Sequence, residues 1–182
     1  MIFKNNTVFP RFRSREFINK LNLSFNINNS EVFELLNEIT NKDLILDYSQ
    51  LRIGFLHFLN QVLPSKARIA TTSYTIYDMV NIIINSDKVP VFVDIDKKNL
   101  GPDLNQLIDL VEKKLVECVI YTYLHGYKCD ISELAKVCKK NNCILIEDCA
   151  QSLWSFKNKN CPGSFGDAAL FSTGLFKNIN TI

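Results

Sequence analysis

Glycine and proline are scarce in this chain of 182 residues, at 6 and 5, and tryptophan occurs once. So few backbone punctuators leave little room for turns, and most of the chain is expected in regular elements. No run approaches the about 18 apolar residues that a membrane helix needs. The N-terminus also lacks an apolar core long enough for a secretory signal. The six cysteines (Cys118, Cys129, Cys138, Cys143, Cys149 and Cys161) form no CxxC pair, and their spacings match no common zinc pattern. No metal site is expected. Two phosphate loops are missing as well: no GxGxxG follows an early strand, and GxxxxGK[ST] occurs nowhere. The run Cys143–Asp148 (CILIED) has the apolar strand and acid of an NTPase, but without such a loop that reading falls away.

What is present fits an ordinary globular domain. Apolar residues make up 47% and charged residues 22%, far from a disordered composition. Net charge is +2, unevenly placed. Residues 1–20 carry five basic side chains (Lys4, Arg11, Arg13, Arg15, Lys20) against Glu16 alone, a local +4, while the rest sums to −2. A basic patch can bind nucleic acid or a membrane surface. This one contains no binding motif, so it reads as a solvated arm over the domain or a partner subunit, with neither nucleic acid nor membrane as partner. Several cysteines fall within apolar strand or helix patterns, where Cys behaves as a small hydrophobe. A reducing cytoplasm is the expected compartment.

Residues 1–30 have no clear period and form the arm. Helical spacing runs from Glu31 to Ile39 after Ser30 as cap, and an apolar strand is expected at Leu44–Leu46. A helix over about 50–63 is closed by Pro64. Regular alternation follows: strand 68–71, helix 76–86, strand 89–93, helix 103–114 capped near Asp103, and strand 116–123. Next come a helix from Asp130 to Lys140, with Asp130 and Glu133 at capping-box spacing, and strand 143–146. A hairpin-like stretch 154–166 leads to the last strand, 168–171. Near-continuous apolar strands alternating with helices define an α/β fold: three layers, a mainly parallel sheet with helices on both faces. In such sheets ligands bind beyond the carboxyl ends of the strands.

The residues there form a set. ILIEDCAQS (144–152) places Asp148 just past a strand and Gln151 three residues on. GSFGD (163–167) follows, and FSTGLFKN (171–178) puts Ser172 five residues before Lys177. This stretch resembles the DegT/DnrJ/EryC1/StrS aminotransferases, which carry an IEDAAQ-like strand end, a Gly-Asp near the next strand, and FSF-x-x-x-K-N. VPVFVDID (89–96) and LHGYKCDI (124–131) resemble further segments of that family, and Ser49 stands 23 residues before Thr72, as the family's phosphate-turn serine does before its strand end.

The resemblance implies the large domain of a pyridoxal-phosphate (PLP) enzyme over residues 31–182. Lys177 would anchor the cofactor covalently and Asp148 would pair with its ring nitrogen. Gln151 would bond the ring's 3-oxygen, and Ser49, Gln50, Leu51 and Ser172 would bind the phosphate, helped by the positive end of the helix that starts there. It further implies transfer of an amino group from glutamate or glutamine to a nucleotide-linked keto-sugar, by a homodimer when full length. Members run on beyond the point corresponding to Ile182. The large domain is therefore expected to be incomplete, with a small C-terminal domain absent.

Some positions depart from the family pattern. Gln50 and Leu51 stand where relatives have a small residue and Thr. Ile76 occupies the place of a ring-stacking aromatic, with Tyr74 and Tyr77 beside it. Tyr123 replaces a frequent histidine, while His125 adjoins Gly126. Arg52 is the nearest fixed positive charge to the phosphate turn. Two rivals follow: a dehydratase, which uses His where this chain has Lys177, and a catalytically silent binding domain of the same fold.

Overall fold

The computed structural model of the chain describes residues 2–3, 46, 48–127, 129–152 and 161–172. The expected helix at 31–39 lies outside them, as do Lys177 and residues 154–160 of the hairpin-like stretch. So does the strand expected at Leu44–Leu46, apart from Leu46, which belongs to no element. The described elements are β1 (Ile2–Phe3), α1 (Leu51–Val62), β2 (Arg68–Thr72), α2 (Tyr77–Asn85), β3 (Val89–Val93) and α3 (Leu104–Glu112). After them come β4 (Cys118–Thr122), a 3₁₀ turn (Leu124–Gly126), α4 (Ser132–Lys140), β5 (Ile144–Asp148) and β6 (Ala168–Ser172).

Each helix buries a pair of side chains one turn apart: Phe55 and Leu59, Met79 and Ile83, Leu107 and Val111, Leu134 and Cys138. Such pairs share one helix face, and each fully buried Leu, Ile, Phe or Met contributes about 1.5–3 kcal/mol relative to exposure. Pro64 ends α1 through its effect on the residue before it, since Leu63 is extended at φ −112° and ψ 140°. Asp103 caps α3 by accepting from the Gln106 N–H at 3.0 Å. The capping box expected at Asp130 does not form. Asp130 accepts from the Ser132 N–H at 2.9 Å, closing a two-residue turn, and α4 starts after Ile131 with no side-chain cap. An Asp can satisfy the amide two residues on as readily as one farther along, and here the shorter ring wins.

The strands lie in the order β1-β6-β5-β4-β2-β3, and every pairing is parallel. Right-handed crossovers fix the layers. The step from β2 to β3 runs one way along the sheet, whereas the steps from β3 to β4 and β4 to β5 run the other. Accordingly α2 packs with α1 on one face, over Ile69, Ile120, Ile146 and Leu170. On the opposite face α3 and α4 cover Ala70, Val119, Leu145 and Phe171. The three-layer α/β expectation holds. One strand differs from the expected burial: β3 is an edge strand and leaves Val89 and Phe92 exposed. Near its start, β2 is tied to β4 by Arg68, whose guanidinium reaches Glu117 at 2.5 Å and holds that carboxyl below its ordinary range.

Candidate functional site

The sheet itself locates the site. β2 and β4 are neighbours whose onward connections leave in opposite directions, so the crevice of this sheet opens beyond their carboxyl ends. Alternation along the strands then selects a face. Ile120, Ile146 and Leu170 point toward α1 and α2. Two residues on, Thr122, Asp148 and Ser172 point the same way. Thr122 pairs with Asp148 and Asp148 with Leu170, so Ser172 extends two residues past Asp148, roughly 7 Å at strand spacing.

Helix α1 reaches the same edge. It leads through 63–67 into the start of β2, so its C-terminus lies at the amino edge of the sheet. Its 12 residues span about 18 Å at about 1.5 Å each, enough to carry its N-terminus to the carboxyl edge. Gln50 is the extended cap residue, with no side-chain cap bond, and its carbonyl accepts from the N–H groups of Ile53 and Gly54. Leu51 and Arg52, the first two helical residues, have no carbonyl within the helix to donate to. Ser49 stands exposed one residue before the cap. The Leu51 side chain packs into the α1–α2 core, so only its backbone faces the edge. Arg52 is held by Asp78 in the first turn of α2.

Asp148 is 6% exposed and is the last residue of β5 rather than the first beyond it. Its Oδ1 accepts from the Ala150 N–H at 3.1 Å, and its Oδ2 lies 3.4 Å from the Thr122 hydroxyl. Gln151 is half-buried, and its Oε1 accepts from the His125 N–H at 2.8 Å. The Gln151 NH₂ group is therefore its remaining polar end. His125 itself sits at φ 53° in the 3₁₀ turn with its ring exposed, and it serves the site through its backbone. Tyr74, Ile76 and Tyr77, at the mouth between β2 and α2, are all exposed.

The described residues thus gather Asp148, Gln151, Ser172 and the 49–51 turn at one edge, with Asp148 and Ser172 on the face that α1 covers. Lys177 lies outside them. Sequence reasoning missed Glu147 and its bond to Tyr123. Glu147 is fully buried in β5 and accepts the Tyr123 hydroxyl at 2.7 Å. Burial, with the Glu147 charge beside it, drives the Tyr123 phenol far above its usual range. The available signal was an acid at an inward position of a buried strand, which requires partners. None of the six cysteines is in a disulfide; burial raises the thiols of Cys118 and Cys149 well above their ordinary value, which keeps them unreactive.

A parallel α/β sheet with a buried carboxylate and a helix N-terminus converging on its carboxyl edge places the candidate site where sheets of this class bind ligands. The model of the DegT/DnrJ/EryC1/StrS aminotransferase family matches residues 56–182. The chain belongs to that family. The match begins after the 49–51 turn, which lies outside it. Among curated relatives, GDP-perosamine synthase of Vibrio cholerae is 31% identical over 100 residues, covering 55% of this chain and 27% of that protein. The chain spans about a third of the length of the curated relatives it matches. Among solved structures, Helicobacter pylori PseC, an aminotransferase of pseudaminic acid biosynthesis, superposes with a TM-score of 0.71 at 22% identity. That superposition covers 90% of this chain and 45% of PseC. The Escherichia coli GDP-4-keto-6-deoxy-D-mannose-3-dehydratase, solved with bound hydrated PLP, gives 0.72 at 20%, covering 82% and 40%. Among the described residues no helix is long and apolar enough to cross a membrane.

Proposed function

We propose that this chain holds pyridoxal 5′-phosphate at the carboxyl edge of β4, β5 and β6. In this reading it is part of an aminotransferase that moves an amino group from glutamate or glutamine to a nucleotide-linked keto-sugar. The observation that carries the reading is the buried Asp148 carboxylate at the end of a central strand, on the same face as Ser172 and the start of α1. The donor set suits the cofactor: a carboxylate for a cationic ring nitrogen, an amide NH₂ for a ring oxygen, and hydroxyl and backbone donors for a phosphate.

When bound, PLP supplies an electron sink for a carbanion beside the transferred nitrogen. Asp148 would keep a proton on the ring nitrogen by a charge-assisted bond. Gln151 would donate to the 3-oxygen. Ser49, Gln50 and Leu51 at the helix start, with Ser172 opposite, would hold the phosphate. Leu51 offers no hydroxyl there, so the phosphate would depend more on backbone N–H groups. Lys177 Nζ would hold the cofactor covalently and then, once free, take the proton from the substrate's Cα. That duty requires a site that disfavours its ammonium form. Residues 31–182 would form the cofactor-binding large domain. A cytoplasmic homodimer is the proposed setting, and the family resemblance supports it. The sugar substrate is supported by the nucleotide-sugar enzymes among the relatives, and the donor by the resemblance alone.

The test is to incubate the chain with PLP, reduce with borohydride, and map the modified peptide by mass spectrometry. The expected adduct is on Lys177. No adduct there, in this chain or in one extended to the relatives' length, would leave a silent domain of the same fold as the better account.

A further inference from the structure

Glu147 precedes Asp148 in β5, so its side chain leaves the sheet on the opposite face, toward α3 and α4. It is fully buried, and its carboxylate accepts four hydrogen bonds. The Tyr123 hydroxyl donates to Oε2 at 2.7 Å and the Gly163 N–H to the same oxygen at 2.8 Å. The N–H groups of Phe165 and Gly166 donate to Oε1 at 2.7 and 2.6 Å. A carboxylate has about four lone-pair sites, and these donors fill them. Among the described residues no Lys or Arg pairs with it. Its charge is solvated by loop amides and one phenol, the condition under which a buried charge is tolerated.

Three of the four donors belong to one loop, and that loop has little freedom. Asp167 clamps it onto β5: its N–H donates to the Leu145 carbonyl and its Oδ2 accepts from the Leu145 N–H, each at 2.8 Å. Gly163 has φ +96°, and a Cβ there would meet Phe171 Cζ at 2.5 Å. The loop runs directly into β6, whose last residue is Ser172.

We propose that Glu147 is a positioning residue. Its carboxylate fixes the 161–167 loop against β5 and thereby sets the reach of β6, so that Ser172 approaches the site in one frame. Two adjacent acids divide the work: Asp148 serves the cofactor face, and Glu147 holds the loop from behind. Glutamine cannot substitute, because its NH₂ end would face N–H donors and leave them unpaired. Aspartate falls short by one methylene. Any consequence for Lys177 rests on the cofactor reading above; the anchoring rests on the hydrogen bonds alone.

The experiment measures amide exchange and borohydride-trapped PLP on Lys177 in the parent chain, Glu147→Gln and, as control, Asp148→Asn. In Glu147→Gln, exchange at Gly163, Phe165 and Gly166 is expected to rise roughly a hundredfold, the order set by losing a hydrogen bond to a charged group. Exchange in β2 and β3 stays as in the parent, and trapping on Lys177 falls at least about tenfold through lost orientation. Asp148→Asn leaves the three loop amides protected. Unchanged loop exchange, exchange raised evenly through the sheet, or undiminished trapping would each overturn the proposal. If the parent is not labelled on Lys177, the cofactor reading fails, and loop exchange alone decides the anchor. Should Glu147→Gln not fold, Tyr123→Phe removes one donor; a rise of roughly threefold or more confined to the loop supports the anchor, and no rise overturns it.

Discussion

The Asp148→Asn chain is expected to fold as the parent does and to bind PLP about a hundredfold more weakly, a loss of about 3 kcal/mol. Asparagine keeps the size of the side chain and an oxygen for the Ala150 N–H, so the turn after β5 survives. It removes the negative charge that would pair with the cationic ring nitrogen, a bond roughly twice as strong as its neutral counterpart. The site sharpens the effect, because Asp148 is 6% exposed and water screens the pair poorly. An absorbance titration with PLP, set beside a thermal melt of each protein, measures both halves of the prediction. Equal affinities in two folded proteins would remove Asp148 from the site.

Gly166→Ala is expected to destabilise the chain by about 2–3 kcal/mol, the cost of forcing a methyl into a filled space. A Cβ at Gly166 would lie 2.6 Å from the Leu145 carbonyl oxygen and 3.2 Å from Glu147 Cγ. Neither neighbour yields easily. Leu145 belongs to β5, which is paired with β4 on one side and β6 on the other. Glu147 is held by its four donors. The thermal midpoint should fall by about 5–10 °C for a domain of this size. An unchanged midpoint would mean that the loop has room to shift, and would weaken the case for a fixed frame behind β6.

The parts of the fold that follow from local rules were legible in the sequence. Pro64 and the Phe55–Leu59 pair define α1, and apolar strands separated by helices give the parallel sheet. Asp148 and Ser172 could be read as candidate site residues because each lies where a strand runs out at the carboxyl edge. What was not legible depended on partners distant in sequence or on competing local geometries. Asp130 faced a choice between two nearby amides, and spacing alone favoured the wrong one. The exposure of β3 depends on strand order, which no feature of VPVFV encodes. Glu147 was passed over because its loop donors lie 16–19 residues downstream and are backbone amides, which leave no side-chain signature. Only the glycines of GSFGD hinted at a tightly packed loop.

The central claim is that the carboxyl edge of β4, β5 and β6, on the face covered by α1 and α2, is a cofactor site. Its most direct test is amide chemical-shift mapping of the isotope-labelled chain as PLP is added. The account predicts that the shifted amides cluster at Gln50–Arg52, Asp148–Gln151 and Ser172. Shifts centred instead on the α3–α4 face or the amino edge of the sheet, with those three groups unmoved, would contradict it.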